Sequence, residues 1–204
     1  MHSSDEFDKP YAEEQLRRSR HPLHRLIKKF YIENILADVQ GPTIDIGCGA
    51  GQLLAKLPSG SVGLEVNPFL VETLKGSGLT VLAYNIEADD FGLSVISSGD
   101  YKTIILSHVL EHFDDAADAL RRLICSAKRL GVERIIIVVP GIKGYASDKT
   151  HKTFVNRSFL KTNKLENFEG YRILKVKDFP FSSEIAGKYF IYQELKIVYE
   201  QCGN

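Results

Sequence analysis

His108, Glu111 and His112 are spaced three and four residues apart, and Asp148 and His151 follow a later aliphatic run. Asp45 and Glu65 each stand two residues from a glycine. These residue types allow three kinds of chemistry. A histidine titrating near neutrality can take a proton from an acceptor. A carboxylate and imidazoles on adjacent helical turns can hold a divalent ion. A strand that runs into a glycine turn can seat a flat ligand against bare backbone.

The turn is the nonapeptide Ile44-Asp45-Ile46-Gly47-Cys48-Gly49-Ala50-Gly51-Gln52. A dinucleotide loop needs a glycine three residues after its second, and that position is Gln52. Asp45 would oppose a pyrophosphate but suits a cationic amino acid head. Twenty residues beyond Asp45, the run Val62 to Val66 reads as a second buried strand. Glu65 lies near its end, where a carboxylate reaches a ribose diol in doubly wound folds. A ribose and a cationic amino acid end together describe S-adenosylmethionine.

Taken in order, the glycine loop, Glu65 and the segment Ser107-His108-Val109-Leu110-Glu111-His112-Phe113 resemble the class I S-adenosylmethionine-dependent methyltransferases, in particular the small-molecule branch with an HVLEHF-type fourth motif. The resemblance covers residues 41–140 well. It implies an α/β fold: a doubly wound, mostly parallel, seven-stranded Rossmann-like sheet with a reversed terminal strand. It further implies that Asp45, Gly47, Cys48, Gly49, Gly51, Gln52 and Ser107 line the cofactor's amino acid side. Glu65 and Val66 would meet the ribose, Asn85 the adenine amino group, and Ile86 the ring. His108, beside the methyl group, is the expected catalytic residue. The acceptor is expected to be an oxygen or nitrogen of a small or carrier-linked molecule.

Two alternatives accompany this reading. His108, Glu111, His112 and His151 resemble the E-x-x-E-H segment and later histidine that hold a divalent ion in small-RNA 3′-terminal 2′-O-methyltransferases. That resemblance implies metal-assisted methylation of an RNA end. His108 replaces the first glutamate of the pattern, and the expectation here is no bound metal. The second alternative is a catalytically silent module that binds the cofactor or a partner. The N/D-P-P-Y/F/W pattern of amino-directed nucleic acid methyltransferases does not occur.

The elements that must position these residues follow from periodicity. Strands are expected at 43–46, 62–66, 80–83, 103–107 and 134–139, with helices between most of them, which implies a parallel sheet with right-handed crossovers. Asn67-Pro68 and Asp114-Asp115 mark helix starts at strand ends, and a short helix is expected from Asn156. Residues 141–145 read as a loop, and two further strands are expected near 171–176 and 195–199. Upstream, 15–39 reads as a helix interrupted at His21-Pro22, with Leu23, Leu26, Ile27, Phe30 and Tyr31 inward. Its basic run of Arg17, Arg18, Arg20, Arg25, Lys28 and Lys29 is a solvated face or an anion-binding lid. Residues 1–40 are thus expected to cap a methyltransferase domain spanning 41–204.

With 204 residues, one α/β domain is expected. Net charge is zero, with 44% hydrophobic and 25% charged residues, which gives no global bias toward nucleic acid or membrane. The acidic N-terminus is unlike a secretory signal, and no apolar run is long enough to span a bilayer. Cys48, Cys125 and Cys202 lack metal-ligand spacing, with Cys125 expected on an apolar helix face, and read as reduced thiols in a cytoplasmic protein.

Overall fold

A computed structural model describes residues 8–20, 22–182 and 188–203. Short β-branched runs become strands β1 (Thr43–Ile46), β2 (Val62–Glu65), β3 (Val81–Ala83), β4 (Thr103–Ser107) and β5 (Arg134–Pro140). These five are mutually parallel. β8 (Glu194–Gln201) runs antiparallel between β5 and β7 (Tyr171–Phe179). With β6 (Asn167–Phe168) at the edge, the order is β3-β2-β1-β4-β5-β8-β7-β6. The sheet therefore has eight strands rather than seven. The addition is β6 (Asn167–Phe168), which folds back on Tyr171 and Arg172 through Glu169 and Gly170, both at positive φ.

The chain moves outward from β1 to β2 and β3, then returns to β4 on β1's other side. A crevice opens at such a reversal, outside the carboxyl ends of the strands. Helices pack around the sheet. α3 (Pro68–Gly76) starts on Asn67, whose side chain accepts from the Phe69 and Leu70 N–H groups, with proline at the first turn. α4 (Ala116–Leu130) starts on Asp115, which accepts from the Asp118 N–H, and ends on Gly131 in the left-handed region. Upstream, α1 (Lys9–Arg20) begins earlier than periodicity indicates, and α2 (Pro22–Leu36) follows; the expected interruption at His21 lies outside the described residues.

Strand alternation divides the core. Ile44, Ile46, Ile104, Leu106, Ile135 and Ile137 face the buried stripe of α4. Ile105, Ile136, Val138 and Val198 face the other way, onto Tyr31, Ile32 and Ile35 of α2. Thus α2 completes one face of the sheet. Phe30 is 51% exposed rather than inward, and the side chains of Leu23, Leu26 and Ile27 lie outside the described residues. Cys125 is exposed on α4 rather than apolar-facing. Residues 142–147 form a helix, α5 (Ile142–Ser147), not a loop, and α6 (Arg157–Thr162) follows, capped by Asn156 as expected. Among the described residues, no helix is long and apolar enough to cross a membrane.

Candidate functional site

The glycine turn closes with Gly47, Gly49 and Gly51 at φ of +67°, +53° and +71°. The three have different duties. A Cβ on Gly47 would lie 2.6 Å from Val109 Cγ2, and one on Gly51 2.6 Å from Leu74 Cδ2, so these two let the turn pack. A Cβ on Gly49 would meet nothing nearer than the Gly47 carbonyl at 4.0 Å. That face of the turn is open. Gln52, half-buried, ends the turn. The Cys48 thiol turns away from it, into a cluster with Leu54, Val71, Leu74 and Val81, so its side chain is not available to a ligand. Burial pushes that thiol well above the usual range.

Asp45 leaves β1 on the side opposite Ile44 and Ile46, and it is 2% exposed. Its Oδ2 has no hydrogen-bond partner among the described residues. Burial raises its pKa to about 7, with Lys28 opposing and Glu65 adding to the shift. An ionised carboxylate left in this way costs folding free energy unless a cation meets it.

Glu65 differs from the exposed strand-end acid that its position suggests. It is buried, its Oε2 accepting the Gly49 N–H at 2.8 Å and its Oε1 the Asn67 N–H at 2.9 Å. Burial raises its pKa, and the backbone donors pull the other way. Glu65 therefore braces the turn. Val66 is half-buried beside it. At the third strand's exit, Asn85 is exposed, but its Oδ1 already accepts from the Glu87 and Ala88 N–H groups. Ile86 is buried in the main core, which leaves little of it for a ring.

The fourth motif is bent rather than helical from its start. Ser107 ends β4 half-buried, and His108 adopts φ +58°, a conformation costly for a non-glycine residue and concentrated at functional sites. Its N–H donates to the Val138 carbonyl at 2.9 Å. A single 3-10 turn over Leu110–His112 then buries Glu111 completely. His108 points one ring nitrogen at each of two carboxylates: Nε2 is 2.8 Å from Glu194 Oε1, and Nδ1 is 3.3 Å from Glu111 Oε1. Burial works against the imidazolium, but Glu194 and Glu111 overcome it and lift the pKa to about 10. His108 is thus charged at neutral pH, although 38% of its side chain stays accessible.

Glu194 has no place in the sequence reading. It opens β8, and because β8 is reversed, its start lies against Pro140 at the end of β5. An acid at the first residue of a reversed strand is the signal that would have found it. Tyr31 of α2 donates to the Tyr192 carbonyl nearby and ties the N-terminal helices to this rim. Across the site, the Lys152 and Thr153 N–H groups donate to the Glu111 carbonyl at 2.8 and 3.1 Å. These bonds bring His151 and His112 together, with ring centroids 5.0 Å apart. Glu111, His112 and His151 converge; His108 lies beside them, engaged with Glu194.

No protein-family model and no curated protein matches the chain. Solved structures do. Magnesium protoporphyrin IX methyltransferase (ChlM) from Synechocystis PCC 6803, solved with bound S-adenosylhomocysteine, superposes with a TM-score of 0.68 at 14% identity, covering 97% of this chain and 96% of that one. The fold is that of the S-adenosylmethionine-dependent methyltransferases. One such enzyme from Archaeoglobus fulgidus gives a TM-score of 0.63 at 19% identity over 95% of this chain and 100% of its own. The N-methyltransferase NodS from Bradyrhizobium japonicum WM9, with S-adenosylhomocysteine, gives 0.63 at 14% over 94% and 97%.

Proposed function

We propose that this chain binds S-adenosylmethionine and transfers its methyl group to an oxygen or nitrogen of a small or carrier-linked acceptor. The observation that carries the reading is the buried, unpartnered Asp45 Oδ2 in the strand that leads into a glycine turn with one open face. The chemistry of that pair fits the cofactor: a carboxylate for an ammonium, bare backbone for close approach. The likeness in fold to enzymes solved with the same cofactor supports it.

The cofactor, when bound, supplies a methyl carbon already activated by the adjacent sulfonium. What this chain adds is alignment, which can be worth roughly 7–11 kcal/mol of the barrier. In this reading Asp45 and residues 47–52 hold the amino acid end, Glu65 and Val66 the ribose side, and Ser107 the edge nearest the methyl group. Asn85 would offer its amide to the adenine edge, with Ile86 behind it. His108, fixed by its backbone and by Glu194, faces the acceptor. The acceptor's proton would pass to the His108–Glu194 pair, with Glu194 the member able to take it while His108 is charged. Residues 1–40 cap the acceptor side in this reading, and three unpaired cysteines fit a cytoplasmic setting.

Methylation of an RNA end draws less support. Two cations of the basic run are paired, Arg17 with Glu14 and Lys29 with Glu33.

Titration calorimetry with S-adenosylmethionine and with S-adenosylhomocysteine tests the proposal, and heat is expected from both. Absence of heat with folded protein removes it. Glu65→Ala should weaken binding by about 1.5–3 kcal/mol, the scale of a hydrogen bond to a charged group. It should also lower stability in urea by about 1–3 kcal/mol, because the Gly49 and Asn67 N–H groups lose their acceptor. Unchanged affinity would take Glu65 out of the ribose site.

A further inference from the structure

We infer that residues 189–192, with Phe181, form a platform for the apolar body of an aromatic acceptor whose reacting atom lies at the His108–Glu194 pair. The inference rests on the acceptor position proposed above and names the acceptor's class. Among the described residues, five of the ten exposed large apolar side chains gather here: Ile142, Phe181, Tyr189, Ile191 and Tyr192. Apolar side chains scattered singly over a surface need no explanation, whereas a contiguous patch marks a binding face.

The first observation is how the segment is held. The Tyr189 carbonyl accepts from Lys143 Nζ at 3.0 Å, and the Tyr192 carbonyl from the Tyr31 hydroxyl. The Gln193 carbonyl accepts the Gly141 N–H at 2.7 Å, and the Phe181 carbonyl accepts from Gln193 Nε2 at 2.6 Å. α5 meets the segment at bare backbone: a Cβ on Gly144 would lie 2.8 Å from the Ile191 carbonyl oxygen, and one on Gly141 3.0 Å from that of Gln193. With the Tyr189, Tyr192 and Gln193 carbonyls drawn toward α5 and α2, the side chains turn to solvent, Tyr189 to 76% exposure. Surface loops are ordinarily polar and loosely held; this one is apolar and fixed.

The second observation is the ring geometry. Phe190 meets Phe181 and Tyr192 edge to face, with centroids 5.3 and 5.7 Å away and planes at 72° and 67°. The half-buried Phe190 thus sets the planes of its two exposed neighbours. Rings held in this way offer faces and edges to a further ring, and such contacts add to what area burial gives. Because the rings are ordered before a ligand arrives, little side-chain entropy is lost on binding.

The third observation is position, and it decides between occupants. Glu194 follows Gln193 directly, and its Oε1 is 2.8 Å from His108 Nε2. The apolar segment therefore ends at the charged pair that receives the acceptor's proton in the reading above. A platform that runs into one polar corner fits a molecule built likewise, a planar aromatic body bearing a single hydroxyl or amine. A second protein chain on this face would close the corner that the acceptor has to enter, where 38% of the His108 side chain stays accessible.

The full chain is titrated by calorimetry with 2-naphthol, and with 1-octanol as an aliphatic alcohol, in the presence and absence of S-adenosylhomocysteine. One molecule of 2-naphthol per chain is expected in at least one of the two states, bound about tenfold or more tighter than 1-octanol because ring contacts add to area burial. Tyr189→Ser and Tyr192→Ser should each weaken it about threefold or more, the scale of one aromatic contact. Tyr189→Phe, which keeps the ring, and Leu174→Ser, an exposed apolar residue elsewhere on β7, should each change it less than about twofold. The backbone here is held through carbonyls rather than these side chains, and melting curves of the variants check that each is folded. No saturable binding of 2-naphthol, equal binding of 1-octanol, or unchanged binding in both serine variants overturns the platform. The chain has no tryptophan, so the indole of Tyr189→Trp reports on this face alone. Its emission should not move with phosphatidylcholine vesicles; a blue shift would assign the face to a bilayer. A dimer seen by sedimentation and lost in Tyr189→Ser would assign it to a second copy, and either result overturns the acceptor. Heat from the cofactor without 2-naphthol binding removes the platform and leaves the proposed function standing, and the reverse result leaves an aromatic-binding face without it.

Discussion

Asp45→Asn is expected to weaken binding of S-adenosylmethionine by about 2–5 kcal/mol, as truncating one partner of a buried charge pair does, and to raise the stability of the ligand-free protein. The two effects have opposite signs for one reason. In the free protein the Asp45 carboxylate has an oxygen with no partner, so removing its charge relieves a cost. With the cofactor bound, the same charge has an ammonium to meet. An ordinary structural aspartate would lose stability on this change.

The pH dependence follows. Folding raises the Asp45 pKa from the usual carboxylate range to about 7, so the folded protein keeps a proton that the unfolded chain gives up. The stability from this group is complete below the unfolded value, near 3.9, and is lost as pH rises through about 7. Ionisation also prepares the site, and cofactor affinity should tighten over the same window. Lys28 from α2 and Glu65 from β2 are the charges that face Asp45, with the Cys48 thiol close by, and Lys28 and Glu65 act in opposite directions. Melting temperature against pH, measured for wild type and Asp45→Asn, checks the claim. Superimposable curves and equal affinities would remove Asp45 from the cofactor site.

The frame that places Asp45 was legible in the sequence for physical reasons. Strands β1 and β4 begin and end where expected because their apolar runs are bounded by glycine, proline or polar residues that cannot continue them. Asn67-Pro68, Asp115 and Asn156 start helices because their oxygens take orphan backbone N–H groups, a local effect that needs no tertiary context. What the sequence hid was long-range. Glu65 reads as an exposed acid until the turn folds over it and supplies two backbone donors. Glu194 lies 86 residues from His108, and only the reversal of β8 brings it there. Glu111 and His112 follow His108 at helical spacing, but His108 takes a left-handed conformation and the 3-10 turn sends the ring and the carboxylate along different paths. Phe30 breaks the inward stripe because the next residue, Tyr31, takes the place against Phe179, with ring centroids 5.0 Å apart.

His108→Ala is expected to slow methyl transfer by about 10²–10⁴, the range for losing a positioned proton-transfer group, with little change in cofactor affinity. The structure qualifies how His108 would act. Flanked by Glu194 and Glu111, it holds a proton at neutral pH, so it takes an acceptor's proton only by giving its own to one of those carboxylates. Glu194 is the partner that can accept and release that proton, being at the rim, whereas Glu111 is completely buried. Glu194→Gln should therefore slow transfer too, by a smaller factor, while sparing cofactor binding. If the two residues act as one pair, the double variant should lose no more than His108→Ala alone, because effects of groups working as a unit do not add. Single-turnover rates with a true acceptor separate the outcomes. Full activity in His108→Ala would leave alignment over the glycine turn as the main source of rate. Additive losses in the double variant would mean that Glu194 meets the acceptor on its own.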